Sequence, residues 1–311
     1  MKLYLRVAAL LGMTAVGLAA LQACGPEAGI GAALAMLTQC DLLPSKCPFP
    51  VLYVANYTGN NVARYDMTGN YQPGHSGPAH VTPDTAPVGV AAKNPYLVTD
   101  QISGSVTVFQ YPVLNDTKPT ATFGTSAGGF MAFDRNGNLW ATSQNAVVVE
   151  YVPPFTNSTT ESNGLTDGIT DSYGIVFDSE GDMFISNADS SGTIAIYSPP
   201  YNTLGATITV PEANPRLHGL AISGSELLVA DTRNNTILVY NLPITGNTPS
   251  TQFTATAPLG LAADDKGNLY VTEQGNNKLD VFQAPFTNTS TSTASITTGL
   301  NGAFGLSIYK P

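Results

Sequence analysis

The sequence is poor in the side chains that most often carry out chemistry. Its 311 residues include only three histidines, three cysteines and one tryptophan. Charged residues make up 11% of the chain, against about 25% in an average soluble domain. No CxxC pair or Cys/His cluster with zinc spacing is present. The GxxxxGK[ST], HExxH and CxxCH motifs are also missing, which argues against P-loop nucleotide binding, zincin-type proteolysis and c-type haem attachment.

Most of the few charged residues are acidic. Asp and Glu number 22 and Lys and Arg number 12, so the formal net charge is −10. An acidic protein repels the phosphate backbone, and we therefore exclude nucleic acid as a partner. Thr, Ser, Asn, Gly and Tyr take the place of charged residues, which favours short strands and tight turns over helices.

The N-terminus has the pattern of an export signal. Lys2 and Arg6 form a basic head, and the apolar stretch from Val7 to Leu21 follows it. This stretch is shorter than the roughly 20 apolar residues that a transmembrane helix requires. The sequence therefore predicts a signal peptide over residues 1–23.

The signal ends in Leu21-Gln22-Ala23-Cys24, which resembles the lipobox of bacterial lipoproteins. The resemblance implies cleavage before Cys24 and a lipid anchor, with palmitate, on its thiol. Gly25 is not the Asp that retains lipoproteins in the inner membrane, which favours the outer membrane, facing the periplasm or the cell surface. The alternative is ordinary secretion with a free Cys24.

Residues 24–47 are predicted to be a lipidated tether to the folded domain. The tether holds Cys40 and Cys47, which are close enough in sequence to form a disulfide in an oxidising compartment. Residues 48–311 form the predicted folded domain, and roughly 260 residues are ample for a large core.

A sequence motif that covers two predicted strands, here called the first phrase, recurs throughout this domain. It reads LYVANYTGNNVARY from Leu52, YLVTDQISGSVTVF from Tyr96, LWATSQNAVVVEY from Leu139, MFISNADSSGTIAIY from Met183, LLVADTRNNTILVY from Leu227 and LYVTEQGNNKLDVF from Leu269. The residue that ends the first strand is Asn56, Asp100, Ser143, Asn187, Asp231 or Glu273, at steps of 44, 43, 44, 44 and 42 residues. Repeats of this length with alternating apolar positions predict four antiparallel strands each.

A second phrase precedes five of these copies and predicts how the chain closes. It occurs as PVGVAA, GFMAFD, YGIVFD, HGLAIS and LGLAAD, and a sixth copy, FGLSIY from Phe304, has no partner after it. The copy at Leu52 has no partner before it. If the chain forms a ring, the C-terminal strand Phe304 to Tyr309 supplies the inner strand of the first repeat and leaves no long free edge. We therefore predict an all-β fold, a six-bladed β-propeller closed by its C-terminal strand.

The stretch PLGLAADDKGNLYVTEQGNNKLDVF, from Pro258 to Phe282, resembles an NHL repeat. The wider group of six-bladed propellers includes the gluconolactonase/senescence-marker type and the peptide-amidating lyases. The resemblance covers roughly residues 48–311 and implies a binding site in the central concavity. One scaffold of this kind hosts many activities, so the resemblance does not specify a function.

Hydrolytic relatives hold a divalent cation with Glu, Asn and Asp before the inner-strand glycines, and the amidating lyases hold a metal with several histidines. The matching positions here are Val88, Gly129, Tyr173, His218, Leu259 and Phe304. His75 and His80 lie together in one loop, apart from His218. We therefore expect no metal and no cofactor.

The same positions predict a top-face mouth. Tyr173, Arg216, His218 and Phe304 would form its inner rim, with Asp100, Asp231 and Glu273 farther out. Aromatic faces ringed by polar groups suit a protein, a peptide or a glycan. The recurring carboxylates are expected to bind the N–H groups of their own loops, although Asp231 could instead orient His218 for acid–base chemistry.

Two motif matches are misleading. Gly124-Thr125-Ser126-Ala127-Gly128 fits G-x-S-x-G, but a nucleophile elbow needs a helix after the serine, and strand residues follow here. DRNGN at Asp134 resembles the start of a calcium loop but lacks the downstream Glu. We interpret both as connections between strands.

The sequence thus favours an exported, lipid-anchored propeller that binds a partner. The alternative is a lactonase-like hydrolase or a lyase acting at the mouth.

Overall fold

The computed structural model describes residues 50–67, 86–111, 113, 117–124 and 128–310. All of them lie in one compact unit, Phe49–Lys310. Cys24, Cys40, Cys47 and the loop with His75 and His80 lie outside the described residues, so lipidation and the disulfide stay predictions. None of the described residues forms a helix long and apolar enough to cross a bilayer.

The described residues form 23 strands in six antiparallel sheets. The first sheet has the order β2-β1-β23, from β1 (Val51–Asn56), β2 (Asn61–Asp66) and β23 (Ala303–Tyr309). The second sheet contains β3 (Pro87–Lys93), β4 (Tyr96–Gln101), β5 (Ser105–Gln110) and β6 (Ala121–Gly124). The third contains β7 (Met131–Phe133), β8 (Leu139–Thr142), β9 (Val148–Tyr151) and β10 (Asn163–Leu165).

The remaining three sheets repeat the same four-stranded meander. The fourth contains β11 (Ser172–Phe177), β12 (Met183–Asn187), β13 (Thr193–Tyr197) and β14 (Ala206–Thr209). The fifth contains β15 (Leu217–Ser223), β16 (Glu226–Asp231), β17 (Thr236–Asn241) and β18 (Thr251–Thr254). The sixth contains β19 (Pro258–Ala263), β20 (Asn268–Glu273), β21 (Lys278–Gln283) and β22 (Ala294–Ile296).

The sheets are the blades of a closed ring. The inner strands β23, β3, β7, β11, β15 and β19 contact one another in that order, and β19 contacts β23 again. Strand β23 pairs antiparallel with β1, with Tyr309 opposite Val51 and Leu306 opposite Val54. The predicted six-bladed propeller and its closure by the C-terminal strand are confirmed.

Burial along the strands follows from this stacking. The second strand of a blade lies between two neighbouring blades, so both of its faces are covered, as in β1, where all six residues are buried. The outermost strand has one face in water, and β6 alternates buried and exposed residues. The mainly apolar second strands in the sequence are therefore a product of packing on both faces.

Glycines let the inner strands approach closely. A Cβ atom on Gly219, Gly260 or Gly305 would lie 2.5 Å from the carbonyl oxygen of Leu259, Phe304 or Val88, respectively, on the next inner strand. A Cβ atom on Gly89 would lie 2.3 Å from the Gly129 carbonyl oxygen, and one on Gly174 would lie 2.2 Å from the His218 carbonyl oxygen. Real Cβ atoms do not approach an oxygen so closely, so any larger residue must push two blades apart.

Hydroxyl groups bridge neighbouring blades next to these glycines. The Ser186 hydroxyl accepts the Gly174 N–H at 2.8 Å and donates to the His218 carbonyl at 2.5 Å. Thr142 joins the Phe130 N–H to the Tyr173 carbonyl, and Thr272 joins the Gly260 N–H to the Phe304 carbonyl, with the same geometry. These bridges fix the backbone at Tyr173, His218 and Phe304.

The turns between inner and second strands are polar, as predicted. The Asp134 carboxylate accepts the Asn138 N–H at 2.9 Å, and the Asp264 carboxylate accepts the Asn268 N–H at 2.8 Å. Gly137 has a φ of 90°, which favours glycine there. These carboxylates cap their own turns. Strand β6 ends at Gly124 and strand β7 begins at Met131, and Ser126 of the G-x-S-x-G match lies outside the described residues.

Substitution of Gly219 tests the close approach of the inner strands. We expect Gly219→Ala to lower the free energy of unfolding by about 3 kcal/mol, because its methyl group would meet the Leu259 carbonyl. Gly246→Ala is the matched control, since no atom lies within 4 Å of the new Cβ, and it should change stability by less than about 0.5 kcal/mol. Urea denaturation measures both, and equal stabilities would refute the packing argument.

Candidate functional site

The residues predicted to form a mouth lie at one end of the ring. The inner strands begin at this end and the second strands finish there, because neighbouring strands are antiparallel. The residues before the inner-strand glycines occupy equivalent places around the axis. They are Val88, Gly129, Tyr173, His218, Leu259 and Phe304, one from each blade.

Aromatic rings from four blades meet at the axis. The Tyr173 ring lies 4.2 Å from the His218 ring and 5.6 Å from the Phe130 ring, between centroids. The Phe304 ring lies 6.0 Å from Phe130, 6.4 Å from Tyr173 and 6.0 Å from Tyr57. We call these five side chains, Tyr57, Phe130, Tyr173, His218 and Phe304, the axial cluster.

Exposure falls steadily from one side of the axial cluster to the other. Tyr57 is 37% exposed and Phe304 is half-buried, whereas Tyr173 is 8% exposed and His218 is fully buried. A molecule arriving from solvent would therefore meet Tyr57 and Phe304 first. The histidine lies at the enclosed end.

Two members of the axial cluster were missed from the sequence. Phe130 occupies the place that glycine holds in the other inner strands, and Tyr57 follows the end of strand β1. Phe130 could have been found as the exception to the glycine pattern. Tyr57 had no signal, because its contact with Phe304 joins opposite ends of the chain.

The His218 imidazole is held by the fifth blade. Its Nδ1 forms a hydrogen bond with the Thr232 hydroxyl, and that hydroxyl also donates to the Pro258 carbonyl. Its Nε2 is buried and has no partner among the described residues. Burial, and to a lesser extent the charge of Arg216, lower the pKa of His218 to about 3. The imidazole is therefore neutral at pH 7.

The charge of Arg216 acts on the buried end of the cluster. The Arg216 side chain is exposed and forms no ion pair with any described residue. Burial raises the pKa of Tyr173 to about 12, and the charge of Arg216 opposes this shift. The Tyr173 hydroxyl therefore stays protonated, with a cation close by.

The three predicted carboxylates have partners in their own loops or on the neighbouring inner strand. Asp231 accepts the backbone N–H of Arg216 at 3.0 Å and the side-chain amide of Asn234 at 2.7 Å. Asp100 accepts the Gly129 N–H at 3.1 Å. Glu273 binds Asn276 and Lys278, and burial raises its pKa. The structure thus brings Tyr173, His218 and Phe304 together and places these carboxylates in other contacts.

The Asp231 carboxylate does not bind the His218 ring, which is turned to Thr232 instead. Among the described residues, no three His, Cys, Asp or Glu side chains are grouped closely enough to hold a metal ion. The mouth residues thus combine aromatic rings and a neutral imidazole with the charges of Arg216 and Asp171, which act on Tyr173 in opposite directions.

Solved structures share the fold at low sequence identity. A chain of the nidogen/laminin complex matches with a TM-score of 0.65 and 16% identity, over 84% of this chain and 98% of that one. A protein of unknown function from Bacteroides caccae matches with a TM-score of 0.60 and 12% identity, over 85% and 100%. Virginiamycin B lyase from Staphylococcus aureus matches with a TM-score of 0.52 and 15% identity, over 66% and 69%. Comparisons with protein-family models and with curated proteins find no match.

The lowered pKa of His218 makes stability depend on pH. At a pH below about 6.5, the usual pKa of histidine, His218 is protonated in the unfolded chain but stays neutral in the native state. The free energy of unfolding therefore decreases as the pH falls from about 6.5 towards 3. We expect the free energy of unfolding to decrease by about 2 kcal/mol between about pH 7 and pH 5 because of this residue. Urea denaturation of the wild type and of His218→Asn at both pH values measures the difference, and identical pH dependence would contradict it.

Proposed function

We propose that this protein is an exported, lipid-anchored propeller that binds a partner at the mouth. The anchor is on Cys24, and the propeller faces the periplasm or the cell surface. The observation that carries the binding proposal is the axial cluster. Its rings come from four blades, and its outer members, Tyr57 and Phe304, reach solvent.

Other exposed apolar groups support this end of the ring. The most exposed large apolar side chains among the described residues are Tyr57 (37%), Ile102 (50%) and Val152 (48%). Tyr57 and Ile102 lie in equivalent loops of adjacent blades, at the same end as the mouth, whereas Val152 follows a third strand and lies at the opposite end. Exposed aromatic and apolar groups are typical of binding surfaces.

The alternative is a lactonase-like hydrolase or a lyase with His218 as its base. A general base works best when its pKa lies near the operating pH. The pKa of His218 is about 3, and its ring binds a threonine hydroxyl and not a carboxylate. This side chain is a weak base at neutral pH, so we favour binding over catalysis.

Removal of the exposed ring tests the binding proposal. The processed protein, solubilised in mild detergent, is applied to peptide and glycan arrays. We expect Tyr57→Ala to lose the array signals of the wild type by about tenfold or more, because an aromatic anchor contributes strongly to an interface. Val152→Ala is the matched control and should keep them. If the array signals of Tyr57→Ala equal those of the wild type, the partner binds at another surface and the proposal is refuted.

Substitution of Cys24 tests the anchor. We expect the wild type to incorporate labelled palmitate and to sediment with membranes, and Cys24→Ser to do neither. Cys40→Ser is the control, since it removes a cysteine but leaves the lipobox intact. An unlabelled wild-type protein in the soluble fraction would support ordinary secretion instead.

A further inference from the structure

The hydrogen bonds around Thr232 fix the tautomer of His218. A threonine hydroxyl has a single hydrogen, and the Pro258 carbonyl can only accept one. Because Thr232 donates to Pro258, its oxygen must accept from the Nδ1–H of His218. The neutral imidazole then carries its hydrogen on Nδ1, and Nε2 presents a lone pair.

This arrangement is specific to the fifth blade. In three other blades a Thr or Ser on the second strand bridges to the next blade, but Ala230 holds that place here. Thr232 makes the bridge to the sixth blade from two residues farther along. The displaced hydroxyl is the one that orients His218.

The Nε2 atom of His218 is thus a buried acceptor without a donor among the described residues. Buried polar atoms are seldom left unpaired, so the site calls for a group that donates a hydrogen bond. An ammonium group would be repelled by Arg216, whose charge already acts on the imidazole. A carboxylate has no hydrogen to donate.

A hydroxyl group satisfies both neighbours at once. It can donate its hydrogen to Nε2 and accept an N–H of the Arg216 guanidinium on its oxygen. The Tyr173 ring contacts the imidazole, and the Phe304 ring lies 6.4 Å from Tyr173, so aromatic faces are near this position for adjacent C–H groups. Several hydroxyls on an apolar C–H framework describe a saccharide.

We propose that the enclosed end of the axial cluster is a saccharide subsite, in which a sugar hydroxyl donates to Nε2 of His218 and accepts from Arg216. The sugar's C–H face packs on the half-buried ring of Phe304. Since His218 is fully buried, the Tyr173 ring, which covers the imidazole, turns aside as the sugar enters. This inference rests on the proposed binding function and names its ligand class.

Nuclear magnetic resonance of the full chain, isotope-labelled in its histidine side chains, tests the acceptor. The probes are neutral hexoses and their disaccharides, added one at a time. His218 is assigned as the imidazole that His218→Asn removes. We expect the Nδ1–H tautomer, no titration between about pH 5 and pH 8, and a shift of the Nε2 signal when a sugar binds. The opposite tautomer, or no shift with any of these sugars, overturns the proposal.

Two variants separate the subsite from a structural role. His218→Asn keeps an N–H for Thr232 but leaves no acceptor at the position of Nε2, and Arg216→Gln removes the cation. Each should weaken the binding of the effective sugar by about tenfold without loss of the folded state. Arg233→Gln, at another exposed arginine of the same blade, is the control and should bind as the wild type does. Wild-type affinity in His218→Asn would mean that an ordered water alone occupies the site.

The outcomes also distinguish this inference from the function on which it rests. Peptide-array signals that depend on Tyr57, together with no response to any sugar, would refute the saccharide subsite and leave the binding module standing. The absence of every Tyr57-dependent signal on both arrays would refute both.

Discussion

The structure depends on the close approach of the inner strands around the axis. Five glycines face carbonyl oxygens of the neighbouring blade at distances that no side chain could tolerate. Because five of the six blades touch the next blade through this contact, the ring closes only if these inner strands approach one another closely. Strand β23, from the far end of the chain, has to fit the same spacing, which it does through Gly305 and the Val88 carbonyl.

The candidate site lies where this repeated contact is broken. Phe130 replaces the glycine of the third blade and sends a ring to the axis. Ala230 replaces the bridging hydroxyl of the fifth blade, and Thr232 takes over the bridge and orients His218. Local departures from a regular pattern commonly mark function, because they cost packing that the scaffold alone would keep. Both departures here converge on the axial cluster.

The scarcity of charge gives this end of the ring its character. The recurring carboxylates are used to cap loops, as with Asp231 and Asn234, so the axis is left to aromatic rings and a neutral imidazole. Arg216 is the nearby cation, and its charge reaches both His218 and Tyr173. Such a surface suits a neutral ligand with apolar faces better than a reaction that needs a charged base or a metal.

The sequence by itself determined the number of blades, the strand order and the closure, because each follows from a repeat of about 43 residues and from one phrase left unpaired at each end. It also placed Tyr173, His218 and Phe304 at equivalent points of the ring. Only the tertiary structure decided which atoms these residues meet. Tyr57 reaches Phe304 across nearly the whole chain, and His218 binds Thr232 while its sequence neighbour Asp231 holds the loop. A repeat specifies the position of a residue within its blade. The residues that its side chain contacts often belong to other blades and are distant in sequence, so a local sequence pattern does not identify them.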